Sequence, residues 1–420
     1  MLVAFSLRSA VASLSPVIDD VARDFPVPSV VVGLIGAAPP VCFAIFGLVT
    51  PLLERRFGLE RMAVGALTLV SIGLLLRGFA GDATSLLAAT VVVFAGVGAG
   101  NVLLPPLVKT YFPDRLGVMM TLYSTMMAVS TFIPPLVAVP IADSLGWRVS
   151  LGVWGVFAVL ALMPWIALLV AERGRAAASV RDLPATSSLI DPTDGVHDVT
   201  DAAAVGTGPI GVVPANPRVF GRLWRLPLAW ALALVFGTSS TMAYVAFAWL
   251  PSILVDTAGV SNATAGFLLS LFALAGLPCG LLVPILVVRY QATRPLFLFG
   301  VISGIAGLSG LLLLPAAAPA LWAIVYGLTA ALFPLSLVLL SIRARTPESA
   351  VALSGFVQSI GYAIAAVFPL LVGVLHEATG GWRVPLLVVI GVLVVSIPAG
   401  WVAGRRRTIE DEWEARHGRW

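Results

Sequence analysis

Arg8 carries the clearest chemical signal in this sequence, because it lies inside an apolar run with no acid near it in depth. The nearest carboxylates, those of Asp19 and Asp20, follow about two to three helical turns later. An arginine within a membrane costs about 2.5–3.5 kcal/mol on insertion scales and usually faces a partner or a cavity. Its guanidinium fork suits an anion, so we predict that Arg8 binds an anionic ligand. In the alternative, Arg8 bonds to backbone carbonyls or extends to the membrane surface.

Asn101 is the second candidate ligand-binding residue. It follows Gly96, Gly98 and Gly100 in an apolar run, and such glycines let neighbouring helices approach closely. Its amide offers both a donor and an acceptor. The side chain could bind a ligand, and a hydrogen bond between helices is an equally good interpretation.

A later apolar run adds Thr241, Tyr244 and Trp249 to the predicted site. Thr241 and Tyr244 share one helical face, and Trp249 lies beside a proline. Tyr244 could stack on a small planar ligand and hydrogen-bond to it, or it could pack in the core. Gln358 and Tyr362 lie one turn apart on another run. We expect these two to support the site or its access path.

Other kinds of chemistry have no residues to support them. No Asp or Glu lies in the middle of an apolar run, which argues against a buried carboxylate as a proton carrier. The sequence contains no nucleotide-binding glycine loop and no GxSxG motif. Cys42 and Cys279 both lie in apolar runs, and His197 stands alone in a polar stretch, so no disulfide framework or metal site is expected. We predict that the protein is not an enzyme and needs no cofactor.

The composition is that of a membrane protein. Of the 420 residues, 59% are hydrophobic and 11% are charged, whereas soluble domains carry about 25% charged residues. The net charge of +4 is not arranged as a basic stripe with interleaved aromatic residues, so no nucleic acid partner is expected. We predict a monomer embedded in a lipid bilayer.

Twelve apolar runs are long enough to cross ~30 Å of hydrocarbon as α-helices. They lie near 1–19, 30–53, 62–80, 85–108, 116–142, 149–171, 227–255, 263–288, 295–314, 319–341, 350–376 and 384–403. Runs of this length exclude strands, so an all-α membrane fold is predicted. The expected units are a six-helix lobe (1–171), a flexible polar linker (172–226), a second six-helix lobe (227–404) and a tail (405–420).

The placement of the arginines predicts the orientation. Most of the 25 basic residues lie in segments that follow even-numbered spans, and the positive-inside rule places such segments in the cytoplasm. Both termini are therefore predicted to be cytoplasmic, in a bacterial inner membrane. Arg77, at the outer end of the third span, is expected at the membrane interface. Only seven residues precede Arg8, and we expect the true start of the chain to lie upstream of Met1.

The two predicted lobes repeat one another. Residues 113–148 recur in recognisable form at 347–383, and Gly146-Trp147-Arg148 matches Gly381-Trp382-Arg383. A chain that repeats itself over half its length consists of two copies of one unit. When an even number of crossings separates the copies, they form parallel repeats, which is typical of secondary transporters with a site between two lobes.

Short motifs in order along the chain carry a resemblance to a known family. They are Ser6-Leu-Arg8-Ser-Ala-Val, Gly100-Asn101-Val-Leu-Leu-Pro105, Ala248-Trp249-Leu-Pro251, Arg343-Ala-Arg345-Thr-Pro347 and Thr379-Gly-Gly-Trp382. With them the sequence resembles the cyanate and 2-nitroimidazole permease (CynX/NimT) family of the major facilitator superfamily. The resemblance implies two pseudosymmetric lobes, alternating access and a cavity lined by helices 1, 4, 7 and 10. Relatives often carry glutamine near Thr329, which therefore joins the predicted substrate-binding residues.

The loop between spans 2 and 3 departs from the superfamily pattern Gly-x-x-x-Asp-Arg-x-Gly-Arg. Pro51 stands in place of the first glycine and Arg55 in place of the aspartate, and Glu54 could supply the displaced carboxylate. The resemblance implies that this segment forms a latch between the lobes. The predicted latch residues are Glu54, Arg55, Arg56, Gly58 and Arg61.

These observations predict a secondary transporter of a small polar, anionic solute, such as cyanate or a small organic anion, with a coupling ion as a further partner. The alternative is an exporter of nitroimidazole-like or other small aromatic compounds. Four methionines of helix 5 would suit such an adaptable apolar site; they are Met119, Met120, Met126 and Met127. A receptor without transport would need a structured output domain, which neither the linker nor the tail is expected to form.

Overall fold

The computed structural model describes residues 2–181 and 221–418, and nearly all of these residues are helical. Eleven helices in these ranges are each long and apolar enough to cross a membrane, and the first span consists of three shorter pieces. The prediction of twelve helical spans is confirmed. Residues 182–220 of the predicted linker lie outside the described part of the chain.

The first lobe contains spans 1 to 6. Its elements are α1 (Leu2–Ala12), a 3-10 turn (Ser15–Val17), α2 (Ile18–Asp24), α3 (Ser29–Phe57), α4 (Leu59–Gly78), α5 (Ala83–Tyr111), α6 (Leu116–Leu145), α7 (Trp147–Gly152) and α8 (Trp154–Arg181). Elements α1 and α2 with the turn between them form span 1, and α7 and α8 form span 6. Helix α8 continues ten residues past residue 171, where the sequence predicts the lobe to end.

The second lobe contains spans 7 to 12. Its elements are α9 (Pro227–Ala258), α10 (Asn262–Tyr290), α11 (Thr293–Leu313), α12 (Pro319–Gly327), a 3-10 turn (Leu328–Ala331), α13 (Leu332–Ile342), α14 (Pro347–Thr379) and α15 (Arg383–Ala403). Elements α12 and α13 with their turn form span 10. A short helix, α16 (Ile409–His417), follows within the predicted tail.

Successive spans run in opposite directions, which gives the molecule two sides. We call the side at which α1 begins and α16 lies the terminal side, and the opposite side the distal side. Side chains cap helices that start on either side. Asp82 accepts a hydrogen bond from the Ser85 N–H at the distal start of α5, and Thr346 accepts one from the Ser349 N–H at the terminal start of α14.

The same contact occurs at the distal side of both lobes. In the first lobe, the Trp147 indole N–H donates to Asp24 Oδ2 at 2.9 Å. In the second, the indole of Trp382 donates to Asp256 Oδ2 at 2.8 Å. The two tryptophans are equivalent in the internal repeat, and each aspartate lies in the last turn of the first span of its lobe. The repeat in the sequence is therefore also a repeat of tertiary contacts.

The lobes touch through glycines in the distal halves of α3 and α14. A Cβ atom on Gly33 would lie 2.8 Å from Leu370 Cα and 2.9 Å from the Pro369 carbonyl oxygen. A Cβ atom on Gly373 would lie 2.7 Å from the Ser29 carbonyl oxygen. Backbones this close leave no room for a side chain, so the distal side of the interface is closed.

The terminal halves of the same two helices lack this close contact at their glycines. Gly47 lies about four turns from Gly33, and Gly355 lies about five turns from Gly373, so each faces roughly the same way as its distal counterpart. No described atom lies within 4 Å of a Cβ built on either residue. We infer from these two positions that the interface widens from the distal to the terminal side, and that the cleft between the lobes opens toward the terminal side.

Helix α16 is fastened to the terminal side of the second lobe. The Ile409 N–H donates to the Arg343 carbonyl oxygen at 2.9 Å, and the N–H of Leu228 donates to Glu412 Oε2 at 2.9 Å. Arg345 forms ion pairs with Asp411 and Glu414. Hydrogen bonds from the Thr408 N–H and from Arg345 lower the pKa of Asp411 to about 2, so the Arg345–Asp411 pair is charged at neutral pH.

The glycine contact predicts a difference between two substitutions on one helix face. Gly33→Val should push α3 away from α14, because overpacking costs about 1–3 kcal/mol, which corresponds to about 5- to 150-fold in the ratio of two conformations. The reporter is maleimide labelling of Ser15→Cys, in purified protein whose Cys42 and Cys279 are changed to alanine. Ser15 is 7% exposed at the distal interface, so its labelling should accelerate.

Gly47→Val is the matched control, since its added side chain meets open space in this conformation. It should leave the labelling rate unchanged or lower it. Equal acceleration in both variants would contradict the assignment of Gly33 to a closed distal contact.

Candidate functional site

The first span is interrupted in its interior. Pro16 lacks a backbone N–H, and in a continuous helix its ring would clash with the carbonyl of Ala12. Helix α1 accordingly ends at Ala12, and a 3-10 turn follows at Ser15–Val17. The last carbonyls of α1 thus lose their helical partners, and inside a membrane such groups need partners from the protein.

Arg77 of α4 supplies one of these partners. Its Nη1 atom donates to the Ala10 carbonyl oxygen at 2.9 Å, and the side chain is only 1% exposed. Arg77 lies in the last turn of α4, as expected for the outer end of the span, but its side chain is buried against α1 rather than exposed. The guanidinium of Arg77 turns inward because the Ala10 carbonyl at the helix break needs a donor. The Nε atom of Arg77 has no hydrogen-bond partner among the described residues.

Arg8 lies four residues before the end of α1 and is half-buried. Its Cζ atom is 6.0 Å from the ring centroid of Phe43 on α3, and its guanidinium interacts with the hydroxyl of Tyr244 on α9. Arg8 forms no ion pair with any carboxylate in the described ranges. The positive charge is thus placed at the junction of the two lobes, and no carboxylate of the described residues balances it.

The two rings beside this charge belong to a cluster of three aromatic side chains. Phe43 lies 6.3 Å from Tyr244 and 5.6 Å from Tyr362 of α14, and the two tyrosine rings are 6.5 Å apart. We call Phe43, Tyr244 and Tyr362 the aromatic box. Arg8 and Phe43 come from the first lobe and both tyrosines from the second, so any change in the lobe interface changes the box.

Two predicted residues present unsatisfied polar atoms. The Oδ1 atom of Asn101 and the Oγ1 atom of Thr241 are both buried and have no hydrogen-bond partner in the described structure. Thr241 lies one turn before Tyr244 on α9. A Cβ atom on Gly100 would lie 2.7 Å from Leu7 Cδ2, so the α5 backbone beside Asn101 packs directly against α1 beside Arg8. Buried polar groups normally have partners, and a bound ligand could supply them here.

Three other predicted residues have their polar groups occupied by the protein. The Trp249 indole N–H donates to the Pro369 carbonyl oxygen at 2.8 Å. Thr329 Oγ1 donates to the Tyr326 carbonyl oxygen at 2.8 Å. Gln358 Nε2 donates to Ser354 Oγ at 2.7 Å. None of these three residues contacts the aromatic box through a described hydrogen bond or ring pair. Tyr362, which we expect to support the site from outside, is itself part of the box.

The predicted latch lies at the terminal side, where the cleft is open. Gly58 connects α3 to α4 with φ of 87°, a value that glycine adopts readily. Glu54 is half-buried, Arg56 and Arg61 are exposed, and none of the three forms an ion pair with a described side chain. The side chain of Arg55 lies outside the described residues. The latch remains a prediction for a conformation in which the terminal side is closed.

A small cavity lies between the aromatic box and the distal contact. It encloses about 30 Å³, room for about two water molecules. Its lining includes Ser15, Arg77, Tyr244, Phe247 and Ala248. Ser15 closes it across the lobes by donating from Oγ to the Ala248 carbonyl oxygen at 2.9 Å. A solute beside Arg8 therefore has no open route to the distal side.

Comparison with known proteins decides the family. A profile of the Major Facilitator Superfamily matches residues 1–366. The chain belongs to the major facilitator superfamily. It is 32% identical over 417 residues to the uncharacterized transporter YycB of Bacillus subtilis, which covers 97% of this chain and 92% of that protein.

Two further relatives of this chain are named for a solute. The 2-nitroimidazole transporter of Escherichia coli is 30% identical, with coverage of 97% of this chain and 95% of the relative. The cyanate transport protein CynX of Escherichia coli is 25% identical, with coverage of 94% and 95%. The structure of a bacterial homolog of the human lysosomal transporter Spinster has the same fold, with a TM-score of 0.73 at 14% identity over 98% of this chain and 96% of that one. The predicted family and two-lobed fold are confirmed, and the protein is a secondary transporter rather than an enzyme.

Phe43 and Arg77 are the site residues that sequence reasoning missed. Phe43 is one of 20 phenylalanines, and nothing in its local pattern separates it from lipid-facing rings. Arg77 carried a signal, since it is a charge at the end of an apolar run, but only the partner at Ala10 shows which way it turns.

The role of Arg77 at the helix break predicts a loss of stability on substitution. Arg77→Met should leave the Ala10 carbonyl without its donor, and a buried polar group without a partner costs about 1–3 kcal/mol. Thermal unfolding of the purified protein should then show a lower apparent melting temperature. Arg383→Met is the control, because Arg383 is exposed on the distal side. Equal melting temperatures for the two variants would remove Arg77 from this role.

Proposed function

We propose that this transporter carries a small planar anion across the inner membrane by alternating access, and that Arg8 and the aromatic box hold the anion between the lobes. The observation that supports this most directly is the guanidinium of Arg8, which lies beside Phe43 and Tyr244 with no carboxylate partner among the described residues. An unbalanced charge inside a membrane protein marks a functional site by default. A mobile anion would balance it during each transport cycle.

The neighbours of Arg8 favour a small and flat solute. The three rings of the box pack against one another with centroids 5.6–6.5 Å apart, and a planar group could replace one of these ring contacts. Asn101 Oδ1 and Thr241 Oγ1 add buried polar atoms that lack partners in the described structure. The relatives named for cyanate and 2-nitroimidazole carry small solutes of this kind by their names. We infer a solute in the size range of cyanate to a one-ring organic anion.

The proposed orientation follows from charge. The terminal side carries most of the arginines, and the positive-inside rule assigns such a side to the cytoplasm. The described conformation, closed on the distal side, is then the inward-open one. In the proposed cycle the distal glycine contact parts as the terminal side closes, and the residues of the predicted latch meet.

Substitution of Arg8 tests the proposal. Hydrogen bonds to charged groups contribute about 1.5–3 kcal/mol, so Arg8→Gln should weaken anion binding about ten- to hundredfold. The measurement is stabilisation of the purified protein by cyanate and by 4-hydroxybenzoate, together with uptake of the stabilising anion into proteoliposomes. Arg8→Lys should keep part of the binding, because it retains the charge but loses the planar fork.

Arg383→Gln is the matched control for charge, since it removes an exposed arginine at the distal end of α15. Its binding and uptake should equal those of the unmodified protein. If Arg8→Gln also binds and transports with unchanged affinity, the anion site is not at Arg8. Tyr244→Phe removes only the hydroxyl that interacts with Arg8, and a selective fall in affinity would locate the anion at that pair.

The aromatic box also supports a second function, export of small aromatic compounds. Its rings would accept a neutral nitroimidazole without help from Arg8, and one relative is named a 2-nitroimidazole transporter. Expression in a susceptible bacterium should then raise tolerance to 2-nitroimidazole, and Phe43→Ala should abolish this effect while Arg8→Gln retains it. If Arg8→Gln loses the tolerance and Phe43→Ala keeps it, transport of an anion is favoured over export of a neutral aromatic compound.

A further inference from the structure

A second site of positive charge lies on the terminal side, away from Arg8 and the aromatic box. It is a pocket of about 510 Å³ between the end of α10, the start of α11 and the end of α15. The residues that line it are Gln291, Arg294, Pro295, Gly404, Arg405, Arg406 and Arg407. Four of these are arginines and none is acidic. The pocket therefore concentrates positive charge in a concave surface, which is the usual arrangement for binding an anion.

The acidic residues nearest in sequence do not line the pocket. Glu410 is buried, and its Oε1 atom accepts from the Arg345 N–H at 3.0 Å. Asp411 and Glu414 pair with Arg345, and Glu412 accepts from the Leu228 N–H and lies 3.5 Å from Arg416. Burial, and repulsion from Arg406, lower the pKa of Arg343 just behind the pocket. The charge of the pocket is thus left for a ligand from outside the chain.

Arg294 is held in place by contacts that leave donors available. Its Cζ atom is 4.3 Å from the ring centroid of Trp401 on α15, a distance typical of a cation–π contact. Its Nε atom is buried without a hydrogen-bond partner among the described residues. Helix α11 begins at Thr293 with Ala292 as an N-cap that has no capping side chain. The N–H groups of Thr293 and Arg294 at this helix start therefore donate no hydrogen bond to a capping side chain.

The surroundings of the pocket favour a ligand with an apolar part. Trp401 is 50% exposed, and Val394, about two turns earlier on the same face of α15, is 48% exposed. Tryptophan is enriched where membrane proteins cross from hydrocarbon to headgroups. An apolar stripe thus leads from the hydrocarbon region to the mouth of the pocket. Basic pockets between helices on the cytoplasmic side are known to bind lipid headgroups.

We propose that this pocket binds the phosphate group of an anionic phospholipid. Arg294, Arg405, Arg406 and Arg407 surround the phosphate, and the acyl chains lie along the Val394–Trp401 face of α15. The lipid joins the end of span 12 to the start of span 9, beside the tail that carries α16. Its occupancy stabilises the second lobe.

The experiment compares apparent melting temperatures of the purified full-length protein in detergent. The added probes are phosphatidylglycerol, phosphatidylcholine at the same concentration, and inorganic phosphate. A ligand that binds only the native state raises the melting temperature with its concentration. We expect phosphatidylglycerol to stabilise the unmodified protein, and the double variant Arg294→Gln, Arg406→Gln to need at least tenfold more of it for the same shift.

The control variant is Arg115→Gln, Arg225→Gln, which removes the same charge from two exposed positions outside the pocket. It should respond to phosphatidylglycerol as the unmodified protein does. An equal response from the pocket variant would overturn the site. A full response to inorganic phosphate alone, or to phosphatidylcholine, would overturn the assignment to an anionic lipid. If the pocket variant does not fold, Arg406→Gln alone provides the same comparison, because Arg406 is exposed.

Discussion

The break in the first span is the constraint on which the rest of the site depends. A proline at position 16 leaves carbonyls of α1 without helical partners inside the membrane, and Arg77 turns inward to meet the one at Ala10. The turn after the break carries Ser15, which reaches across to the Ala248 carbonyl of the other lobe. One interrupted helix therefore joins a buried cation, the small cavity and the distal contact between the lobes. A continuous helix would provide none of these three.

Two arginines inside the membrane have different surroundings, and the difference separates their roles. Arg77 is 1% exposed and donates a hydrogen bond to a backbone carbonyl, so its guanidinium is held in place and stabilises the fold. Arg8 is half-buried and has aromatic neighbours from both lobes. A ring face or a hydroxyl tolerates a guanidinium but does not neutralise it. Arg8 therefore keeps the capacity to exchange partners, which a binding residue needs and a helix cap does not.

Much of this arrangement follows from the sequence, and the remainder depends on contacts between distant residues. Hydrophobic runs and the internal repeat predict the spans and the two lobes, because each is a property of consecutive residues or of two aligned segments. Arg8, Tyr244 and Tyr362 were predicted singly from type and position, and the structure brings them together. Trp249 was predicted on the same grounds, yet its indole N–H is taken by Pro369, a partner more than a hundred residues away. The helical period shows which residues lie on the same face of a helix. Only the packing of α3, α9 and α14 determines which other residues that face contacts.

The glycines at the distal contact also bear on how quickly the lobes could separate. Gly33, Gly36 and Gly373 bring main chain against main chain or against small side chains of the other lobe at the distal end of the seam. This distal end can part and re-form while its side chains stay in their rotamers. The barrier to exchange would then come mainly from the polar link between Ser15 and Ala248 and from the aromatic box, whose rings pack against one another across the lobes. A surface of this kind is suited to many repeated openings, whereas an interlocked one would be suited to permanent closure.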